Sequence, residues 1–249
     1  MTAFYQQVTR FLDGEAYIYP ATATKDACVY CRGSKTNASF PTCFTCDQRN
    51  MKASRPDRLG FGIYAVNMKQ SGRVMRDYKK SATATMPGSF DMAKQIVTCL
   101  AYLGIIRALE RDQFDAVTYV PSLSSRTGPH SLQIVLKRAL EKIQDAPPLT
   151  DALQPSDLNG MEEQWKRSIR PENFNCCHQL TGQRILLIDD TWASGGHMLS
   201  AVGALRQGGV QHVTATALAR WLKDGFGTTP TILETMRRQK PSFSNYQFF

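Results

Sequence analysis

Apolar residues in this chain come in short blocks, and the spacing within the blocks changes from one to the next. Leu59–Met68 is strand-like. Met86-Pro-Gly-Ser89 reads as a turn, with Ser89 as the helix N-cap before Phe90. Apolar residues at 96, 97, 100, 103, 106 and 109 then keep helical spacing to about Arg111. Asp115–Val120 reads as a strand stopped by Pro121, and Leu132–Ile143 as a helix. Pro147, Pro148, Pro155 and Gly160 mark an irregular stretch. Arg184–Ile188 reads as a strand, Leu199–Leu205 as a helix ended by Gly208-Gly209, and Val213–Leu218 as a Thr-rich strand. Strands alternating with helices predict an α/β fold, a parallel twisted sheet flanked by helices. The tail from Asp224 to Phe249 shows no readable element.

The N-terminal part differs in character. Cys28-Val-Tyr-Cys31 is followed by eleven residues and then Cys43-Phe-Thr-Cys46. Two such knuckles let four thiolates converge on one tetrahedral ion, usually Zn²⁺. Gly33, Ser34, Asn37 and Pro41 supply turns between them. Two disulfides are the alternative, and a reducing compartment disfavours them. Four protein ligands leave no open position, so the metal would be structural. The expected division is a zinc-ribbon-like Cys₄ module over 1–58, including the mixed stretch 1–27, and an α/β domain over 59–249. Cys99 falls in a helical apolar stretch and reads as core filler, while Cys176, Cys177 and His178 read as loop or helix-end residues.

Composition adds charge and compartment. The 249 residues carry a net charge of +9. Arg49, Lys52, Arg55, Arg58, Lys69, Arg73, Arg76, Lys79 and Lys80 against Asp57 and Asp77 put +7 of it in one segment. That segment reads as a solvated face, or as a surface for phosphate, pyrophosphate, a protein or nucleic acid. No interleaved aromatic signature supports sequence-specific reading of bases. No uninterrupted apolar run approaches the roughly 20 residues of a membrane span, and the start lacks the pattern of a secretory signal. A cytoplasmic protein without a membrane partner is the expectation.

The most chemical stretch is Ile185-Leu-Leu-Ile-Asp-Asp-Thr-Trp-Ala-Ser-Gly-Gly-His197. Four apolar residues, too few for a helix, run into Asp189 and Asp190. Ser194, Gly195 and Gly196 then offer backbone N–H groups where a helix is expected to begin, a setting that favours a phosphate. Acids beside a phosphate cradle make electrostatic sense when sugar hydroxyls or a metal lie between them. Ribose 5-phosphate fits that description.

This stretch resembles the 5-phosphoribosyl pyrophosphate (PRPP) loop of type I phosphoribosyltransferases. Thr191 and Trp192 stand where aliphatic residues are usual, and His197 where Thr or Ser is common. With a Cys₄ module ahead of it, the chain from Cys28 to Trp221 is similar to the ComF family. In place of that family's Arg-rich loop with Gly-Phe-Asn stands Pro121-Ser-Leu-Ser-Ser-Arg-Thr-Gly-Pro-His130.

The resemblance implies displacement of pyrophosphate from PRPP, with Mg²⁺, by a nucleobase-like small-molecule acceptor. Asp189 and Asp190 would bind the ribose hydroxyls. Ser194 and the backbone of Thr191, Ala193, Gly195, Gly196 and His197 would line the PRPP site. The His197 side chain could add a phosphate contact or cap the helix. Arg126, with Ser124 and Ser125, would hold pyrophosphate, and Arg73, Lys79 and Lys80 are further candidates; His130 reads as a helix-start residue. Trp221 could stack on a base or pack the domain edge. Two rivals stand beside an enzyme: a non-enzymatic nucleotide-sensing or DNA-handling adaptor, and a nucleotide-targeting defence effector. A homodimer is open.

Overall fold

The computed structural model describes residues 2–48, 54–80, 87–123, 129–157, 168–177 and 180–249. Helix α1 (Ala3–Asp13) and a short helix α2 (Phe44–Gln48) precede strand β1 (Arg58–Val66). Helices α3 (Gln70–Asp77) and α4 (Pro87–Leu109) lead to β2 (Ala116–Tyr119) and α5 (Ser131–Leu140). A small antiparallel pair, β3 (Leu153–Pro155) and β4 (Phe174–Cys176), follows. The chain closes through β5 (Arg184–Trp192), α6 (Gly196–Gln207), β6 (His212–Leu222) and α7 (Thr229–Gln239).

The main sheet has four strands in the order β1-β6-β5-β2, all parallel. Both of its edges are covered. Along β1, Ala21 N donates to Gly62 O, Tyr64 N to Tyr19 O and Phe61 N to Phe248 O. Along β2, Val117 N donates to Pro148 O and Thr150 N to Val117 O. Such cover removes the exposed ladder that would otherwise template association. One face carries α1, α3, α4 and α5 with Phe243, Tyr246 and Phe248 of the tail. The other carries α6, α7, β3, β4 and the Cys₄ module. Thus α1 packs its Tyr5, Val8 and Leu12 into the same core as α4.

Side-chain alternation slips by one residue at a single level of the sheet. Phe61 and Tyr64, three apart, both join the module-side core, and Ile63 between them joins the opposite one. On β5, Leu187 and Trp192 face the module side, and Ile188 the other. Phe61 aligns with Ala217 and Asp189, and Tyr64 with Arg220 and Trp192, so the slip is in register across three strands. Gly62 permits the tight approach there, since a Cβ would sit 2.3 Å from the Leu218 carbonyl oxygen. The slip turns consecutive residues of β5 toward different elements at the point where the acids stand.

Several elements differ from expectation. β5 does not end at Ile188. It continues through both acids to Trp192, because pairing with β6 persists to Trp192↔Arg220. For the same reason Ala219-Arg-Trp221 lies inside β6. Helix α4 begins at Pro87, so Ser89 is in its first turn and not its N-cap. Among the described residues, one helical stretch, Asp91–Leu109, is long and apolar enough by length and composition to cross a membrane, and much of it is buried inside the fold.

Candidate functional site

Asp189 and Asp190 stand at the carboxyl end of β5, an interior strand between β6 and β2. This is the edge where open parallel sheets collect ligands. Asp190 is buried and turned toward α3: Lys79 Nζ lies 2.5 Å from its Oδ2, and the Tyr78 hydroxyl donates to the same oxygen. Asp189 is partly exposed, and its Oδ1 accepts from Asp190 N at 2.8 Å. Burial of its carboxyl, with the Asp190 charge next to it, holds Asp189 well above the usual carboxylate range, although Lys79 opposes the shift. Tyr78 and Lys79 come from the end of a polar helix that periodicity did not reveal. Lys80 pairs with Asp77 at 2.8 Å, and Arg73 is exposed on α3.

The loop after β5 is only Ala193-Ser194-Gly195. Gly195 is the N-cap of α6, at φ +82°, with no side-chain cap hydrogen bond. A Cβ there would lie 2.3 Å from the Trp192 indole, so the turn needs glycine twice over, for backbone angle and for space. Ser194 Oγ accepts from Gly196 N at 3.4 Å, and Leu199 N closes the first helical turn onto Gly195 O at 3.0 Å. A helix that starts on glycine, without a capping side chain, puts its first N–H groups outside the helical ladder, a setting that suits an anion.

Trp192 has a packing role. It is 2% exposed and meets Phe61 edge-on at 5.5 Å and Tyr30 of the module at 6.5 Å. The module lies on the same side. Its four cysteines are free thiols, not two disulfides, and their sulfurs all lie within 4.8 Å of one another. Cys31 and Cys43 sulfurs are 3.7 Å apart. This cluster could hold a metal ion, and among the described residues it is the one group of three or more His, Cys, Asp or Glu side chains so arranged. The first knuckle turns through Arg32 at φ +52°, with Cys28 N bonded to Gly33 O, while α2 follows directly on Cys43.

Arg220 of β6 joins the module to the loop. Its Nε donates to Cys31 O at 2.7 Å and its Nη2 to Cys31 Sγ at 3.3 Å. Its Nη1 donates to Trp192 O at 3.0 Å, Ala193 O at 3.2 Å and Trp221 O at 2.5 Å. Nothing in the local sequence marked Arg220, since its partner Cys31 is remote in the chain.

The remaining candidates scatter or fall outside the description. Ser124, Ser125 and Arg126 lie outside the described residues, as does His178. Val120 N donates to Ile188 O, so the segment that leads toward Arg126 departs beside the acid pair. Trp221 packs against the α3 side of the sheet, with the Arg76 guanidinium over its ring at 5.8 Å. His130 precedes α5 and stacks on Tyr119 at 5.2 Å. Burial raises the Cys99 thiol to about 11, which suits an inert core residue. Cys176 is in β4, and Cys177 is exposed beyond it. Three cations of the basic segment pair with acids remote in the chain, Arg58 with Asp112, Lys69 with Asp224 and Lys79 with Asp190, and Lys80 pairs locally with Asp77. A scan against protein-family models finds no match for this chain, and a search of curated proteins finds no similar sequence.

Proposed function

We propose that this chain binds PRPP and belongs functionally with the phosphoribosyltransferase-like proteins, displacing pyrophosphate in favour of a nucleobase-like acceptor. One observation carries the reading: an acid pair on an interior parallel strand, followed after four residues by a glycine-capped helix N-terminus. The acids suit the 2- and 3-hydroxyls of a ribose, and the helix start with Ser194, Gly195, Gly196 and His197 suits its 5-phosphate. Lys79 offsets the acids' charge and so lowers the cost of bringing an anion beside them. Charge builds on the departing pyrophosphate as the ribose gains oxocarbenium character, so a cation from the loop after β2, with Arg126, is the natural stabiliser. Asp189 and Asp190 have no third acidic, His or Cys ligand among the described residues. Mg²⁺ would arrive on the diphosphate.

The Cys₄ cluster fits zinc. Sulfurs at about 2.3 Å from a tetrahedral ion stand roughly 3.8 Å apart, close to the 3.7 Å between Cys31 and Cys43. Arg220, 6% exposed, puts buried positive charge 3.3 Å from Cys31 Sγ, which suits an anionic four-thiolate centre. Bound zinc would pin the module's two knuckles together. Clustered thiols also suit a reducing compartment such as the cytoplasm. Titration calorimetry with PRPP tests the functional reading.

A second reading, a non-enzymatic adaptor, draws support from the surface of the module. Val29, Phe40 and Phe44 are 74%, 55% and 70% exposed. Side chains of this kind suit a partner's apolar surface or, for the phenylalanines, unstacked bases. Retention of single-stranded DNA that falls steeply with salt favours this reading, and no retention at low salt counts against its nucleic-acid form.

A further inference from the structure

The guanidinium of Arg220 is almost completely buried, yet among the described residues no carboxylate pairs with it. Its acceptors are backbone carbonyls and one sulfur. A buried arginine without a counter-charge is costly. A divalent metal ion with four thiolates makes a centre of net charge −2 and would place counter-charge at Cys31 Sγ, 3.3 Å from Nη2. The other arm of the same planar group grips Trp192 O and Ala193 O, the two carbonyls from which the anion loop springs. Because a guanidinium is rigid, both arms must be satisfied in one pose. Gly33 keeps that pose open, since a Cβ there would lie 1.8 Å from Nη2 and 2.4 Å from Cζ.

We propose that Arg220 is a positioning residue that makes the order of the Ala193–His197 loop depend on occupation of the Cys₄ centre. With metal bound, charge on the Cys31 sulfur holds the guanidinium, and the guanidinium holds the loop. Without metal, Arg220 loses its counter-charge and the loop its clamp. The consequence for ligand binding rests on reading that loop as a phosphate site; the coupling itself does not.

Hydrogen exchange on the full chain, with metal content measured in parallel, tests the coupling. In metal-loaded wild type, the amides of Gly196 and Leu199, bonded to Ser194 Oγ and Gly195 O at the base of the loop, exchange slowly. Stripping the metal speeds them roughly tenfold or more, the effect of losing a charge-assisted hydrogen bond, while Ile185–Ile188 stay protected. Arg220→Lys and Gly33→Ala retain metal, show the fast loop with metal present, and gain nothing further on stripping. Unchanged loop exchange in both metal-loaded variants overturns the proposal, and so does an equal effect of stripping in variant and wild type. Should stripping unfold the whole chain, the two metal-loaded variants still decide. Failure of wild type to bind PRPP would overturn the functional reading and leave this exchange result standing.

Discussion

Lys79 and Asp190 form an ion pair of 2.5 Å inside the site that the acid pair would present to a sugar. The Tyr78 hydroxyl donates to the same carboxylate oxygen. Asp190 is thus neutralised by the protein itself. Removing the cation leaves a nearly buried carboxylate short of its partner. Lys79 is a third exposed, which moderates the loss. Lys79→Met should lower unfolding free energy by about 1–2 kcal/mol, read from urea denaturation at neutral pH. Pairing Lys79→Met with Asp190→Asn should cost less than the sum of the two single changes, and strict additivity would mean that the contact contributes nothing.

Asp189 gives a pH signature. Its carboxyl titrates above the unfolded range in the folded chain, through burial first and the Asp190 charge second. In the window between the two values the folded state binds more protons than the unfolded one, so stability falls as pH rises. The contribution is full below about pH 4, the unfolded value, and is lost as pH climbs through the raised folded value. Asp189→Asn should flatten this decline and stand above wild type at neutral pH. Parallel stability–pH curves for the two proteins would contradict it.

Gly195 tests the loop. Alanine there meets an αL backbone at φ +82° and the Trp192 ring at 2.3 Å. Gly195→Ala should cost at least about 2 kcal/mol and weaken anion binding at the helix start. Wild-type melting together with wild-type affinity for PRPP would show that the turn is not built as described.

The Cys₄ cluster should hold a single structural metal ion. Protein purified under reducing conditions should carry stoichiometric zinc by mass spectrometry, and Cys43→Ser should lose it with a lower melting temperature. Substoichiometric metal in wild type, even after loading with zinc, would remove this centre from the account.

Legibility of the fold followed the range of the interactions. The strand at Ile185 was readable because four apolar residues ran into two acids, and the knuckles were readable because ligand spacing is local. The continuation of β5 to Trp192 was not, since it depends on pairing with β6 rather than on apolar pattern. Helix α3 was hidden by its polar sequence and by Gly72, which is there because a Cβ would strike Val66 O at 2.3 Å. That hid Tyr78 as part of the site and left Lys79 as one cation among several. The tail gave no periodic signal, yet Tyr246 donates to Ala21 O and accepts from Arg32, contacts made across the whole length of the chain. Arg220 is the same case at the site itself: its meaning comes from Cys31.

Titration calorimetry of the metal-loaded chain with PRPP and Mg²⁺ tests the central claim most directly. The account predicts saturable binding by wild type and its loss in the Asp189→Asn/Asp190→Asn double variant, with the fold of that variant verified by circular dichroism. No heat of binding from wild type, or the same affinity in the double variant, would contradict it.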